Sequence, residues 1–194
     1  MKIILASKSG VRKRILDKYG IDCDVVVSNV DEDEVKASLL EEKADPLSIS
    51  KNLAEIKSLK VSNRYPNKLV LGADSVISLN NELINKPKSR NEAFNILKRL
   101  NNSKHYLISS VCISKNGAMI WNHTDSSELK MRDFTEKQIL EYLSKISTET
   151  LLAYGVYQIE ANGLELFDYI KGDRDSIMGL PIKDVLNYIE DYKK

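Results

Sequence analysis

The stretch KIILASKSGVRKRILDKYG, residues 2–20, decides the fold class. Residues 2–6 form a short apolar run that Ser7-Lys8-Ser9-Gly10 breaks with a polar turn. Val11, Ile15, Leu16 and Tyr19 then recur at helical spacing until Gly20. A chain that opens strand, tight turn, helix begins an α/β unit. Working outward, residues 23–28 are Val-rich and predict a second strand, followed by an acidic turn at 30–34. Asp45-Pro46 sets an N-cap before a first-turn proline and predicts a helix to about Asn63. Residues 68–73 are a strongly apolar strand candidate, with Asp74 just past its end. Ser89 with Glu92, and Thr135 with Gln138, form capping boxes for helices through Leu100 and Leu143. Residues 107–114 and 118–131 predict long strands joined by Asn116-Gly117, a hairpin turn. Residues 163–170 alternate as a strand, and 181–192 read as the last helix. The expected architecture is α/β with a mixed sheet. No repeat, low-complexity tract or Pro/Gly-rich linker divides it, so residues 1–194 are expected to form one domain, or two small lobes sharing a cleft.

The 194 residues include 29 Lys+Arg and 28 Asp+Glu, a net charge of +1. That balance argues against a dedicated nucleic-acid or membrane-surface binder, which carries a basic excess. Apolar residues at 42% and charged residues at 29% fit a soluble globular chain. Cys23 and Cys112 make no disulfide framework and have no metal-like spacing. They read as reduced, buried thiols of an intracellular protein. The first apolar run is too short for a signal peptide core, and no run reaches the ~18 residues of a membrane span, so a cytoplasmic location is expected. His105 and His123 are not spaced as a metal pair and read as surface or strand-edge residues, while Trp121 reads as core.

Several residues carry chemistry. Ser7, Ser9 and Gly10 lie where a strand enters a helix, and Arg12 falls in the first helical turn. Unpaired N–H groups, the positive end of the helix dipole and a forked guanidinium together favour phosphate. The competing reading is an N-cap serine beside a surface arginine. The stretch is not a Walker A loop, because Gly-x-x-x-x-Gly-Lys is absent. Asp74 is placed to project from the end of a buried strand, where ligands gather in open α/β sheets, or else to cap the next element. Asp31, Glu32, Asp33 and Glu34 suit Mg²⁺ or Mn²⁺ shared with substrate phosphates, or else form a solvated acidic loop. Lys57 and Lys86 are either phosphate-steadying cations or ordinary surface lysines.

The ordered set LASKSGVRKRIL, VDE, LAEIKS, GADSV, NKP, YGVYQIEANG and GDRDSIMGLPI, spanning about Leu5 to Leu186, resembles the Maf family of nucleoside triphosphate pyrophosphatases. The resemblance implies an elongated mixed-sheet α/β fold with a central cleft between two lobes, similar to the inosine-triphosphatase-like pyrophosphatases. It implies hydrolysis of the α–β phosphoanhydride to a nucleoside monophosphate and pyrophosphate, a divalent cation (Mg²⁺ or Mn²⁺), and often a homodimer. Ser7, Ser9 and Arg12 match the family's phosphate-binding turn, Lys57 and Lys86 its two lysines, and Arg132 an arginine after the long strand. Asp74 matches its proton acceptor, and Glu32 with Asp74 would contact the metal.

Gly10 and Val11 depart from the family's usual proline and first arginine in that turn. In the branch that acts on dTTP and UTP, selectivity is associated with that arginine, a threonine after the catalytic aspartate and a late glutamine. Here the three places hold Val11, Ser75 and Glu160. A glutamate at the late position resembles the 7-methyl-GTP branch. A carboxylate only accepts hydrogen bonds, and guanine offers N1–H and N2–H₂ side by side, whereas thymine and uracil offer one N–H between carbonyls. That branch carries an aromatic residue at the place of Val11, and valine supplies no cation–π contact. The balance points to a guanine-type base. The alternatives are dTTP/UTP hydrolysis, or a non-catalytic nucleotide-binding regulator of cell division, a process to which the family has been linked.

Overall fold

The computed structural model of the protein describes residues 2–159 and 162–194. Its opening follows the sequence: β1 (Ile3–Leu5), α1 (Gly10–Lys18) and β2 (Cys23–Val25). α1 starts at Ser9, whose side chain accepts the backbone N–H of Arg12, and it buries Ile15 and Leu16 in the cluster that holds Ile3 and Leu5. The acidic segment is not a turn. Asp31 N-caps α2 (Glu32–Glu41), and Glu32, Asp33 and Glu34 fill its first turn, where the helix dipole favours carboxylates. α2 buries no residue, so it leaves no apolar periodicity to read.

α3 (Pro46–Ser62) begins as expected on Asp45 and Pro46. Then follow β3 (Val70–Leu79), β4 (Glu82–Ile84), α4 (Arg90–Leu100), β5 (Lys104–Lys115) and β6 (Ala118–Met131). Asn116 and Gly117 join β5 to β6 with φ of 52° and 75°, as a two-residue hairpin turn of this type requires. α5 (Glu136–Ser144) carries both halves of its capping box, and α6 (Thr148–Tyr154) follows on a Ser147 cap. The expected strand at 163–170 divides into a 3₁₀ turn (Asn162–Leu166) and β7 (Phe167–Lys171). α7 (Arg174–Ile177) and α8 (Ile182–Tyr192) close the chain.

The seven strands form one mixed sheet in the order β2-β1-β3-β5-β6-β7, with β4 also on β3. β1 pairs in parallel with β2 and β3, and the other pairings are antiparallel. Two large apolar clusters cover it. One joins α1 and α8 to β1 and the start of β3 through Leu5, Leu16, Leu71 and Val185. The other joins α4 and α5 to the end of β3 and to β7 through Leu79, Leu97, Leu143 and Phe167. β3 and β5 run through both, so the middle of each lies where the clusters meet.

His105 departs from its surface reading. It is fully buried, with Nε2 2.9 Å from the Tyr157 hydroxyl, because it occupies an inward position of β5 opposite Leu129. Trp121 is partly buried and stacks on Tyr188 of α8 at 5.0 Å. Cys23 and Cys112 are buried free thiols. Among the described residues, no helix is long and apolar enough to cross a membrane.

Candidate active site

β5 pairs with one edge of β3 from Val70 to Ser78. The other edge is divided: β1 covers Val70 and Leu71, and β4 covers Ile77 to Leu79. Residues 72–76 therefore face no strand there among the described residues, and Asp74 stands in the middle of that gap. It does not project from a strand end as the sequence suggested, because β3 continues through Ser75 and Ser78 to Leu79.

Gly72 decides what reaches Asp74. A Cβ on Gly72 would lie 2.2 Å from the Ala54 carbonyl oxygen and 2.7 Å from the Ser58 nitrogen, so only glycine lets α3 come this close. The close approach delivers Lys57, itself buried. Its ammonium donates to Asp74 Oδ1 at 2.7 Å and pairs with Glu32 Oε1 at 2.8 Å. Burial pushes the Glu32 carboxyl up, but Lys57, with Lys36 and Lys86 behind it, more than offsets this and holds it below its ordinary value. Asp74 Oδ2 is buried and has no hydrogen-bond partner among the described residues. An unpaired buried carboxylate oxygen costs about 1–3 kcal/mol or more, so something must offset it when the site is filled.

The turn after β1 supplies the second wall. Ser7 Oγ accepts from the Ser9 N–H and from Arg12 Nη1, each at 3.2 Å. Arg12 Nε donates to the Gly179 carbonyl at 2.9 Å, and Nη2 donates to Ser75 Oγ at 3.2 Å. Ser75 Oγ in turn lies 2.9 Å from Ser109 Oγ on β5. Burial lowers the Arg12 pKa against the opposing pull of Asp74 and Glu32. Gly179 has φ +101°, and a Cβ there would come within 3.1 Å of Ser75 Oγ. The segment before it is clamped: Asp173 caps α7, and buried Asp175 accepts the Tyr19 hydroxyl at 2.6 Å and Lys18 Nζ at 3.3 Å. GDRDSIMGLPI thus braces Arg12, a role its sequence did not reveal.

Two adjoining chambers open at the gap. The larger, about 660 Å³, is lined by Ser7, Ser9, Arg12, Glu32, Lys57, Asp74 and Lys86. The smaller, about 190 Å³, has walls of Val11, Val76, Ile77, Leu83, Ile84 and Leu107, with Ser75 and Lys36 also lining it. Ser9, Glu32, Asp74, Lys86 and Tyr154 line both. Lys86 is exposed by area and donates to the Ala153 carbonyl at 2.9 Å; partial desolvation by the groups crowding it, with Arg12 nearby, lowers its pKa against the pull of Glu32 and Asp74. Lys36 lies in no motif, and Tyr154 opens YGVYQIEANG without a signal that singles it out as a site residue.

The structure does not bring Arg132 to the cleft. It lines neither chamber, and its Nε donates to the Phe167 carbonyl at 3.0 Å, because it follows β6 at the end paired with β7. Glu160 lies outside the described residues. Among the described residues, no group of three or more His, Cys, Asp or Glu is arranged to hold a metal ion. The pair Glu32 and Asp74 nonetheless suits a Mg²⁺-type ion, which takes one or two carboxylates and fills its shell with water and phosphate oxygens. Asp74 Oδ2, buried and without a partner among the described residues, is the oxygen such an ion would take.

The interrupted edge of the mixed α/β sheet opens on a chamber where Arg12, Lys57 and Lys86 face Asp31, Glu32, Asp33 and Asp74, beside a second chamber with largely aliphatic walls, the setting of a binding cleft for a charged small molecule with a less polar part. The sequence matches the Maf family, described as Maf-like protein, over residues 2–192, and the chain belongs to that family. It is 56% identical over 189 residues to a nucleoside triphosphate pyrophosphatase of Pelagibacter ubique (strain HTCC1062), covering 97% of each chain. It is 35% identical over 190 residues to a 7-methyl-GTP pyrophosphatase of Rhizobium etli, covering 98% of this chain and 96% of that one. The solved structure of a HAM1 protein from Coxiella burnetii is similar at 14% identity and a TM-score of 0.44, covering 68% of this chain and 73% of that one.

Proposed function

We propose that the protein hydrolyses a nucleoside triphosphate between its α and β phosphates, releasing a nucleoside monophosphate and pyrophosphate. The observation that carries this is Asp74: it lines both chambers, Lys57 fixes one of its oxygens, and the other is buried without a partner among the described residues. The polyphosphate lies in the larger chamber, where Arg12, Lys57 and Lys86 offset its charge and the charge that develops on the leaving pyrophosphate. The base lies against the aliphatic walls of the smaller one. A water oxygen bonds to the α phosphorus while the bond to the bridging oxygen breaks, and pyrophosphate departs with the electron pair. Asp74 Oδ2 orients that water and accepts its proton. Lys57 keeps the carboxylate oriented through Oδ1. A divalent cation held by Asp74 and Glu32 supplies activation of water at neutral pH when bound.

The base is proposed to be guanine-type, with 7-methyl-GTP as the leading candidate, and the role to be removal of modified nucleotides from the precursor pool. Support comes from Glu160 in the sequence, an acceptor suited to guanine's paired donors, and from the relative named 7-methyl-GTP pyrophosphatase. The test is pyrophosphate release from dTTP, UTP, GTP and 7-methyl-GTP, with and without Mg²⁺. Release should be fastest from the guanine-type nucleotides and depend on the cation. Failure to release pyrophosphate from any triphosphate overturns the enzymatic reading, and a preference for dTTP or UTP overturns the base assignment alone.

A further inference from the structure

Tyr154 ends α6 and is 55% exposed. Among the described residues, no second aromatic ring stacks on it and no cation sits over it. Exposure alone carries nothing, since Tyr65, Tyr106 and Tyr192 are exposed as well. Its position sets it apart, because Tyr154 lines both chambers, at the passage from the phosphate side to the apolar side. Val11 gives the smaller chamber an aliphatic wall without a π face.

The helix that carries Tyr154 is firmly held. Leu151 is fully buried. The Arg90 guanidinium donates to the carbonyls of Leu143 at 2.6 Å and Ile146 at 2.7 Å, and to Thr148 Oγ1 at 3.1 Å. Lys86 holds the carbonyl of Ala153, the residue just before the ring. An aromatic side chain on a braced helix end at the junction of two chambers has the setting of a stacking platform.

We propose that Tyr154 is a specificity-determining residue whose ring stacks on the base of the bound nucleotide. The inference rests on the proposed nucleotide reading of the cleft. Stacking favours the broad face of a purine, and an N7-methylated guanine adds the attraction of a positive charge for the ring.

The test compares Y154F and Y154L with the unmodified protein, after melting curves show that each is folded. For GTP and 7-methyl-GTP, Y154L should raise KM about tenfold or more with kcat nearly unchanged, as loss of uniform binding requires. The increase should be larger for 7-methyl-GTP, and Y154F should restore both values. Affinity for inorganic pyrophosphate alone, read by calorimetry, should be the same in all three proteins. An unchanged KM in Y154L overturns the proposal, as does a loss of pyrophosphate affinity equal to the loss of nucleotide affinity, which would make Tyr154 a wall of the phosphate chamber. If the protein releases no pyrophosphate from any triphosphate, the enzymatic reading fails by itself. Calorimetry with the guanine nucleoside monophosphate then decides the stacking claim, which predicts weaker binding to Y154L.

Discussion

Lys57 Nζ lies 2.7 Å from Asp74 Oδ1, and both side chains are only 7% exposed. The same ammonium holds Glu32 at 2.8 Å, so one cation serves two carboxylates. Removing one member of a buried ion pair leaves an uncompensated charge and typically costs about 3–5 kcal/mol. Lys57→Met should therefore lower the melting temperature clearly and abolish turnover. Asp74→Asn removes the proposed proton acceptor but keeps a polar group of the same shape. It should lower kcat by about 10²–10⁴-fold while nucleotide binding persists. Near-normal turnover in Asp74→Asn would remove Asp74 from the chemistry.

Gly72→Ala tests whether the seating of α3 sets the site. The added carbon would fall 2.2 Å from the Ala54 carbonyl oxygen, a backbone atom that cannot swing away. Helix and strand must separate, at a cost of about 1–3 kcal/mol for an overpacked core. Denaturant melts should show the loss, and turnover should fall with it as Lys57 withdraws from Asp74. Full activity and unchanged stability in the Gly72→Ala protein would show that the contact is not needed.

Arg12 commits three of its five N–H donors to Gly179, Ser7 and Ser75. Lysine keeps the charge but has no planar fork to span those partners. Arg12→Lys should raise KM for the triphosphate at least several-fold with modest change in thermal stability. Equal KM values would show that charge alone is what the position provides.

Acid stability follows from His105. Burial lowers its pKa to about 4 from an ordinary value of 6.5. The folded protein thus keeps the ring neutral where the unfolded chain binds a proton. Stability is full above about 6.5 and falls as pH drops toward 4, by on the order of 3 kcal/mol. Melting temperatures measured from pH 7 to pH 4 should decline, and His105→Gln should flatten the decline even if it starts lower. Parallel curves for the two proteins would place the acid sensitivity elsewhere.

The sequence made visible what local chemistry governs. Asp45-Pro46 and the Thr135 capping box started their helices where they were expected, and Asn116-Gly117 turned the long hairpin. Ser7, Ser9, Arg12, Glu32, Lys57, Asp74 and Lys86 are all legible in motifs, and the fold gathers them around one chamber. What stayed hidden depends on distant parts of the chain. The brace on Arg12 comes from Gly179, 167 residues away. Asp74 reads as a strand end because it follows the apolar run of residues 68–73, yet the strand continues through Ser75 and Ser78 opposite Ser109 and Tyr106. α2 leaves no apolar pattern because it buries no side chain, and the place of Arg132 after the long strand carries no information about which side of the sheet it reaches.

The ladder that joins β3 to β5 runs unbroken past Asp74, from Val70 to Ser78. The carboxylate therefore rides on a stiff beam, while the glutamate opposite it projects from a helix with no anchor in the interior. Any breathing that admits a ligand or releases a product must then be borne by the roof rather than the floor. Engineering that leaves the beam alone and rebuilds what hangs over it can alter traffic through the cleft without disturbing the group at its base.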